Sequence, residues 1–358
     1  MSINRVNKLR EAMQQSNVEA MFVTSSINRR YLTGFTGSSG YVLITLHDAY
    51  LLTDFRYMTQ APQQAKGFTI VEHGPKVADT VKELLTSANI GKLGFEQDDV
   101  SFSGYTAYAE QLKPIQLVPV SGLVEKLRIF KDDEELKVMQ RAADLADDTF
   151  KHILGFIKTG MTEREVDLEM EFYMRRHGAT SSSFDTIVAS GERSAMPHGV
   201  ASERVIAGNE LITFDFGALL DGYCSDLTRT IAIGDPDPKL KEIYDIVLEA
   251  QLHTLQNIKP GMTGREADAL ARDIITKYGY GDKFGHSTGH GLGMEVHEMP
   301  RLSKLSDDVL KPGMVVTVEP GIYLPGLGGV RIEDDIVITE TGIVILTHSS
   351  KDFIVLPA

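Results

Sequence analysis

The sequence has very little cysteine and no tryptophan. Of its 358 residues one is a cysteine, Cys224, which excludes an intrachain disulfide. Cys224 fits a small buried residue of a strand better than a nucleophile. No stretch approaches the roughly 20 apolar residues of a membrane span, and the N-terminal residues lack an apolar run with a cleavage site. These absences predict a protein of the reducing cytoplasm.

Positive charge is also scarce. Lys and Arg number 36 against 50 Asp and Glu, and the formal net charge is −14. Nucleic acids and anionic membranes are bound through basic patches, so we expect neither as a partner. The charge fits a soluble protein, with a smaller share of carboxylates gathered to hold cations. The length allows two domains, each with its own core.

The first third of the chain alternates helical and strand patterns. Strands are predicted at 20–23, 41–44, 49–53 and 68–72, and helices at 6–15 and 77–86. Glycines punctuate the loop between the first two strands. The pattern indicates an α/β domain whose sheet is covered by helices. We place the boundary between domains of residues 1–122 and 123–358.

The second domain opens with a charged helix at 132–157 and contains an internal duplication. The segment TGMTEREVD at 159–167 recurs as PGMTGREAD at 260–268. In each copy a Thr is a candidate helix N-cap, and a Glu three residues later would close a capping box. Each copy follows one helix and opens another.

A second repeat has the same order along the chain. The strand-like segments LITFDFG and VVTVEPG place Asp215 and Glu319, respectively, before a glycine turn. Further on, a glycine precedes Asp226 by four residues, and another precedes Glu333 by four. A pseudo-two-fold relation between the halves would bring these four carboxylates together near strand ends, where a site can be well defined.

Converging carboxylates need compensation, because repulsion and desolvation would otherwise protonate some of them. Oxygen ligands suit Mg²⁺, Mn²⁺ or Ca²⁺, and added imidazole favours Mn²⁺, Co²⁺, Fe²⁺ or Zn²⁺. Imidazoles are supplied by GHSTGHGLGMEVH at 285–297. Its glycines disfavour a regular helix and let the side chains approach a ligand closely.

Five donors would hold two metal ions with shared carboxylates: Asp215, Asp226, His290, Glu319 and Glu333. Such a pair, roughly 3.5–4 Å apart, binds a bridging hydroxide at neutral pH, which would attack a peptide carbonyl. Three further histidines, His198, His286 and His297, would steady the oxyanion, the substrate or the leaving group. The alternative, acidic turn and cap residues on a solvated face, does not explain the duplicated setting.

Taken together, the motifs resemble the pita-bread metallopeptidase family (M24-type), in its Xaa-Pro branch of aminopeptidase P and prolidase. The segments that carry the resemblance are DFGA from Asp215, SDLTRT from Ser225, GHGLG from Gly289, VEPG from Val318 and RIEDD from Arg331. Residues 1–122 resemble the N-terminal domain of the creatinase and prolidase group, which methionine aminopeptidases normally lack.

The resemblance implies a fold and a metal centre. The fold would be α+β, a pita-bread catalytic domain with an internal pseudo-two-fold and a mostly antiparallel curved sheet, plus the smaller α/β N-terminal domain. Asp215 and Asp226 would bind one divalent ion, and His290 and Glu319 the other. Asp226 and Glu333 would bridge the two ions, for which Mn²⁺ is expected and Co²⁺, Zn²⁺ or Fe²⁺ are the alternatives.

The resemblance also implies roles for the remaining site residues. Glu319 would handle the proton of the nucleophilic water, and His198 and His297 would contact the scissile peptide and stabilise the intermediate. His286 and Arg331 would line the substrate site, with Arg331 anchoring carboxylates or the product.

The expected reaction is hydrolysis of an Xaa-Pro bond, in dipeptides or at the N-terminus of longer peptides, by a cytoplasmic homodimer. In the family the N-terminal domain mediates dimerisation, and Arg56 would either read substrate or form a salt bridge within the fold. Two alternatives remain open, a metal-free creatinase-like C–N hydrolase and a non-enzymatic binding protein of the same fold. Stoichiometric Mn²⁺ binding would argue against the first, and turnover of an Xaa-Pro peptide would argue against the second.

Overall fold

The structure is a computed structural model that describes residues 2–358, with side chains from Asn4 onward. Within this range the chain divides into two compact units, one ending at Arg128 and one spanning Ile129–Ala358. The domain boundary after residue 122 stays a prediction. Among residues 2–358, no helix combines the length and the apolar composition that a membrane span requires.

The first unit is an α/β domain built on a mixed sheet. The strands are β1 (Ala20–Val23), β2 (Tyr41–Thr45), β3 (Ala49–Thr53), β4 (Thr69–Glu72), β5 (Lys92–Glu96) and β6 (Gln116–Val120). They pair in the order β4-β3-β2-β1-β5-β6, with β1 antiparallel to β2 and parallel to β5. The helices are α1 (Ser2–Gln15), α2 (Ser26–Thr33), α3 (Ala61–Gln64), α4 (Val77–Ser87), α5 (Phe102–Gln111) and α6 (Glu125–Arg128). The predicted strands and helices of this region are confirmed, and α2 lies in the segment predicted as a glycine-punctuated loop.

Arg56, which was predicted either to read substrate or to form a salt bridge, pairs with Asp54 in this unit. Arg56 donates from Nε and Nη2 to the carboxylate of Asp54, at 2.8 Å each. Its side chain is 55% exposed, so the pair is a local surface ion pair of small energetic weight. A role of Arg56 in reading substrate stays a prediction.

The second unit is built from antiparallel sheets and four long helices. The helices are α7 (Asp133–Phe156), α8 (Glu163–Arg176), α9 (Pro238–Asn257) and α10 (Gly264–Lys277). The strands are β7 (Ser181–Ser182), β8 (Ile187–Ser190), β9 (Glu210–Phe216), β10 (Ala218–Leu220), β11 (Tyr223–Cys224), β12 (Leu227–Ile233), β13 (Gly289–Gly291), β14 (Glu298–Leu302), β15 (Val315–Val318), β16 (Gly321–Leu324), β17 (Gly328–Arg331), β18 (Asp334–Ile338), β19 (Ile343–Ile345) and β20 (Val355–Leu356).

Two of the sheets carry the repeated strands. One has the order β20-β12-β9-β8 and the other β14-β13-β15-β18-β19. Adjacent strands in both are antiparallel, except for the parallel pair β12 and β20. Apolar residues of β9 and β12 pack against α7 and α8 in one core, with Phe150 and Phe214 in edge-to-face contact. Cys224 is buried in β11, as predicted, and burial raises the pKa of its thiol to about 12.

The internal duplication extends to the hydrogen bonds. The capping boxes predicted at Thr162 and Thr263 both form, ahead of α8 and α10. The backbone N–H of Ile206 donates to Met161 O, and that of Leu310 donates to Met262 O, at 2.8 Å in each half. The triple β8-β9-β12 of the first half corresponds to β13-β15-β18 of the second. The duplicated organisation predicted from the sequence is confirmed.

The capping boxes give a first testable consequence. Thr263→Ala removes the side-chain acceptor of the Glu266 backbone N–H, so we expect a loss of about 1 kcal/mol in the free energy of unfolding. Thr162→Ala should cost a similar amount in the other half. Denaturant unfolding checks both, with Asp273→Ala, at an exposed site of α10, as the control. An unchanged midpoint in both Thr variants would contradict the capping role.

Candidate metal centre

The five predicted metal ligands come from strands or from residues next to strand ends. Asp215 lies near the end of β9, and His290 is the central residue of β13. Asp226 precedes β12, Glu319 follows β15 and Glu333 precedes β18. Backbone positions in such sheets are held by interstrand hydrogen bonds, which limits the movement of the side chains they carry.

Three of the five donors meet closely. Ligand atoms of Asp226, His290 and Glu333 all lie within 4.8 Å of one another, and all three residues are buried. His290 Nε2 is 3.7 Å from Asp226 Oδ2 and 3.5 Å from Glu319 Oε1. A fourth donor, Glu319, therefore belongs to the same cluster.

Asp215 faces the same cavity but is held differently. Its Oδ2 accepts from Arg331 Nη2 at 2.5 Å, whereas its Oδ1 is buried without a hydrogen-bond partner among the described residues. A buried carboxylate oxygen with no donor carries a desolvation penalty. That penalty is relieved when a cation binds the oxygen, so the orphaned Oδ1 fits a metal ligand.

A cavity of about 570 Å³ contains all of the predicted site residues. Its volume lies within the range of sites for small ligands. The predicted residues that line it are His198, Asp215, Asp226, His286, His290, His297, Glu319, Arg331 and Glu333. The structure thus brings together every residue that the sequence analysis placed in the site.

The carboxylates destabilise one another's charged forms. Burial, followed by repulsion from Glu333 and Asp215, raises the pKa of Asp226 well above its usual range. Burial, followed by repulsion from Glu319 and Asp215, does the same for the pKa of Glu333. Burial raises the pKa of Glu319 to about 8, against an opposing effect of Arg331. The cluster must therefore bind either protons or cations.

The imidazole of His290 is suited to bind a cation. Burial lowers its pKa to about 4, so the ring is neutral at physiological pH. Its Nδ1 lies 3.1 Å from the carbonyl oxygen of Gly291 and donates there in the tautomer that leaves Nε2 unprotonated. Nε2 is the atom that faces Asp226 and Glu319, and an oriented, unprotonated nitrogen is the form that ligates metals.

Glycines flank this histidine for steric reasons. A Cβ on Gly289 would overlap the carbonyl oxygen of Thr317, and one on Gly291 would overlap that of Met299. Strand β13 therefore packs closely against β14 and β15 because Gly289 and Gly291 have no side chains. The close approach brings His290 within 3.5 Å of Glu319, which follows the adjacent strand β15.

The other predicted histidines lie around the cluster. The rings of His290 and His297 are in edge contact, with centroids 4.4 Å apart. Burial, with a further contribution from Arg301, lowers the pKa of His297. His198 and His297 are exposed at the cavity wall, whereas His286 is half-buried and its Nε2 lies 2.7 Å from the hydroxyl of Tyr323.

Hydroxyl groups and a carboxylate that were not predicted from the sequence lie behind the ligands. The Thr228 hydroxyl donates to Glu333 Oε2 at 2.7 Å, and the Thr317 hydroxyl accepts from His290 N at 3.1 Å. The Tyr323 hydroxyl accepts from Arg331 Nη1 at 2.9 Å, and Asp335 Oδ2 accepts from Asp226 N at 2.9 Å. One signal was present, because LITFDFG and VVTVEPG share a Thr two residues before the carboxylate.

The donor set fits divalent cations. It combines buried carboxylates that cannot all be charged alone, a neutral imidazole and an orphaned carboxylate oxygen. Mixed carboxylate and imidazole ligation suits Mn²⁺, Fe²⁺, Co²⁺ or Zn²⁺. The arrangement can therefore hold metal in a cavity lined by three further histidines and two arginines.

Comparison with known proteins gives two family matches. Residues 137–340 match metallopeptidase family M24, and residues 5–130 match the creatinase/prolidase N-terminal domain. A solved structure of an Xaa-Pro dipeptidase from Bacillus anthracis is 54% identical and has a TM-score of 0.98. That match covers 99% of this chain and 100% of the other.

Two further relatives match over nearly their whole length. An Xaa-Pro dipeptidase of Pyrococcus furiosus is 40% identical over 351 residues, which are 98% of this chain and 99% of that protein. The crystal structure of an X-Pro aminopeptidase from Thermotoga maritima is 38% identical with a TM-score of 0.92, covering 97% of this chain and 100% of the other.

The predicted fold class, the resemblance and the enzyme class, a metallo-exopeptidase, are thereby confirmed. The buried carboxylate and imidazole cluster, the duplicated sheets and these matches agree, and the chain belongs to metallopeptidase family M24.

Proposed function

We propose that this protein is an Xaa-Pro dipeptidase that uses two divalent metal ions. The observation that carries the proposal is the buried cluster of Asp226, His290 and Glu333, with ligand atoms within 4.8 Å of one another. It opens onto a cavity of about 570 Å³, a volume suited to a dipeptide. Specificity for proline is supported by the names of the relatives from Bacillus anthracis and Pyrococcus furiosus.

The proposed assignment of the metal ligands follows the two halves of the repeat. Asp215 and Asp226 would hold one ion, and His290 and Glu319 the other, with Asp226 and Glu333 shared between them. When bound, the two ions would polarise the peptide carbonyl and make water a nucleophile at neutral pH. Mn²⁺ is the ion that we propose, and the homodimer and the cytoplasmic location stay predictions.

Glu319 is the proposed proton carrier. Its Oε1 lies 3.5 Å from His290 Nε2 and 3.4 Å from the Thr317 hydroxyl. Burial favours the protonated form of this carboxyl, whereas nearby positive charge favours the ionised form. A carboxylate balanced between these effects can accept a proton from water and deliver it to the leaving nitrogen.

His198 and His297 are proposed to act on the peptide itself. Both line the cavity, and an imidazole there can donate to the oxygen that gains negative charge or to the leaving nitrogen. His286 and Arg331 are joined through the Tyr323 hydroxyl, which lies 2.7 Å from His286 Nε2 and accepts from Arg331 Nη1 at 2.9 Å. The Arg331 guanidinium would anchor the carboxylate of a dipeptide or of the proline product.

The experiment that tests the proposal compares an Xaa-Pro dipeptide with an Xaa-Pro-Yaa tripeptide in buffer containing Mn²⁺. We expect the dipeptide to be hydrolysed with the higher kcat/KM, because its carboxylate can pair with the buried Arg331 guanidinium. An Xaa-Ala dipeptide is the control for proline specificity. Preference for the tripeptide would favour an aminopeptidase, the activity named for the Thermotoga maritima relative. Turnover of neither peptide would overturn the proposal.

The metal-free alternative is not favoured. Without a metal ion, the desolvation of Asp215 Oδ1 and the repulsion between the Asp226 and Glu333 carboxylates would be left uncompensated. Equilibrium dialysis with Mn²⁺ separates the two proposals, because the metal-free enzyme would bind no stoichiometric ion.

A further inference from the structure

Helix α10 carries a buried ion pair outside the proposed ligand set. Arg272 donates from Nε and Nη2 to the two carboxylate oxygens of Asp268, at 2.6 and 2.8 Å. The side chains are 1% and 11% exposed for Asp268 and Arg272. A buried pair of this kind is weak evidence for stability, since desolvation opposes the attraction between its charges. The remaining hydrogen bonds of Asp268 and Arg272 indicate a second role for the pair.

Those bonds all reach the short segment 284–288. Arg272 donates to the carbonyl oxygens of Phe284 and His286, at 2.9 and 2.7 Å. Asp268 Oδ1 accepts from the backbone N–H and the hydroxyl of Thr288, at 3.0 and 2.9 Å. The pair therefore holds the backbone on both sides of the His286 side chain.

The same segment reaches two groups of the proposed active site. The Arg272 guanidinium lies 4.2 Å from the centroid of the Phe284 ring. The Phe284 ring is also in edge contact with the ring of His286, with centroids 5.0 Å apart. The carbonyl oxygen of Thr288 accepts from the backbone N–H of Glu319 at 2.7 Å. A shift of this segment would move His286 and Glu319 together.

The internal duplication provides a comparison within one chain. The repeat places Asp167 where the second half has Asp268, and Glu171 where it has Arg272. Glu171 accepts from Arg175 and Ser182 instead, and Asp167 is met by Arg164 at 3.4 Å. An arginine that donates to the backbone of a neighbouring segment, Arg272, therefore occurs at this repeat position in the half that carries the histidine-rich segment.

We propose that Asp268 and Arg272 are positioning residues that hold His286 and Glu319 in their working places. The proposal rests on the proposed peptidase function. Neither residue lines the cavity that holds the ligand cluster, so both act through the segment 284–288 rather than on substrate.

The test uses Asp268→Asn, Arg272→Met and their double variant, with Arg272→Lys as the conservative change. Each single variant leaves one buried charge unpaired, whereas the double variant removes both, so its unfolding temperature should recover toward wild type. We expect kcat/KM on an Xaa-Pro dipeptide to stay about 100-fold low in the double variant, because misplaced catalytic groups cost rate even in a folded enzyme. Arg272→Lys keeps the charge and one donor group, and should restore part of kcat.

Asp167→Asn is the matched control at the equivalent repeat position, and we expect it to keep wild-type kcat/KM. Recovery of activity in parallel with stability in the double variant would overturn the positioning role and leave a structural one. Mn²⁺ titration calorimetry provides a second readout, with affinity expected to fall about 10-fold in the double variant. Should the wild type cleave no Xaa-Pro peptide, the proposed function fails, and unchanged Mn²⁺ affinity in the double variant would then overturn the positioning role independently.

Discussion

Asp226→Asn and Glu333→Gln are each expected to abolish Xaa-Pro hydrolysis without unfolding the protein. Each change removes a proposed shared ligand while keeping the volume of the side chain. Bound cations contribute several kcal/mol to stabilisation of the transition state. Since each ~1.4 kcal/mol is a tenfold change in rate, we expect a loss on the order of 10³-fold in kcat/KM.

The same variants should stabilise the protein in the presence of a chelator. A carboxyl whose pKa is higher in the folded state contributes stability at low pH, which is lost as pH rises through the folded pKa. Burial raises the pKa of Asp226 and Glu333 well above their usual values, so their ionisation costs stability toward neutral and alkaline pH. The neutral Asn or Gln escapes that cost.

Thermal unfolding of the metal-free proteins at several pH values, alongside peptide assays with Mn²⁺, checks both results. Asp185→Asn is the control, because Asp185 is an exposed carboxylate that lines the same cavity outside the ligand cluster. Full activity in Asp226→Asn or Glu333→Gln would refute the shared-ligand role of that residue.

Removal of metal is expected to have an effect of similar size. Dialysis against a chelator should eliminate hydrolysis, and added Mn²⁺ should restore it. Because the ligand cluster is assembled by folding, an ion at 100 times its Kd should stabilise the folded state by about 2.7 kcal/mol. Differential scanning calorimetry with and without Mn²⁺ measures this shift, and Asp226→Asn should show a smaller one.

Metal binding should also release protons. Burial raises the pKa of Glu319 to about 8, so this carboxyl carries a proton in the metal-free protein at neutral pH, and a bound cation would displace it. Calorimetric titrations in buffers of different ionisation enthalpy report the number released. Hydrolysis that persists after exhaustive chelation would contradict the metal-dependent mechanism and favour the metal-free alternative.

The ligands could be predicted from sequence because they lie in short motifs that recur. Asp215 and Glu319 stand at equivalent places of two strand-like repeats, and His290 lies in a glycine-rich run. Helix starts were equally accessible, since a capping box such as Thr162 with Glu165 involves residues three apart. Local interactions leave a direct trace in the order of residues.

Long-range arrangements left a weaker trace. The parallel pairing of β1 with β5 joins strands far apart in the chain, and no local pattern selects that neighbour. The bond from Asp226 N to Asp335 spans 109 residues. Asp335 is the last residue of the RIEDD motif, yet its carboxylate accepts from the other half of the repeat. Such partners come together only when the sheets assemble, so short sequence motifs do not indicate them.

The bare backbone beside His290 limits how this enzyme can change its preference for one cation over another. Side chains cannot be introduced at Gly289 or Gly291, because carbonyl groups of the adjacent strands already occupy that space. Changes in cation preference are therefore expected at residues behind the ligands instead, such as Thr228, which donates to Glu333, and Thr317, which accepts from the His290 backbone N–H.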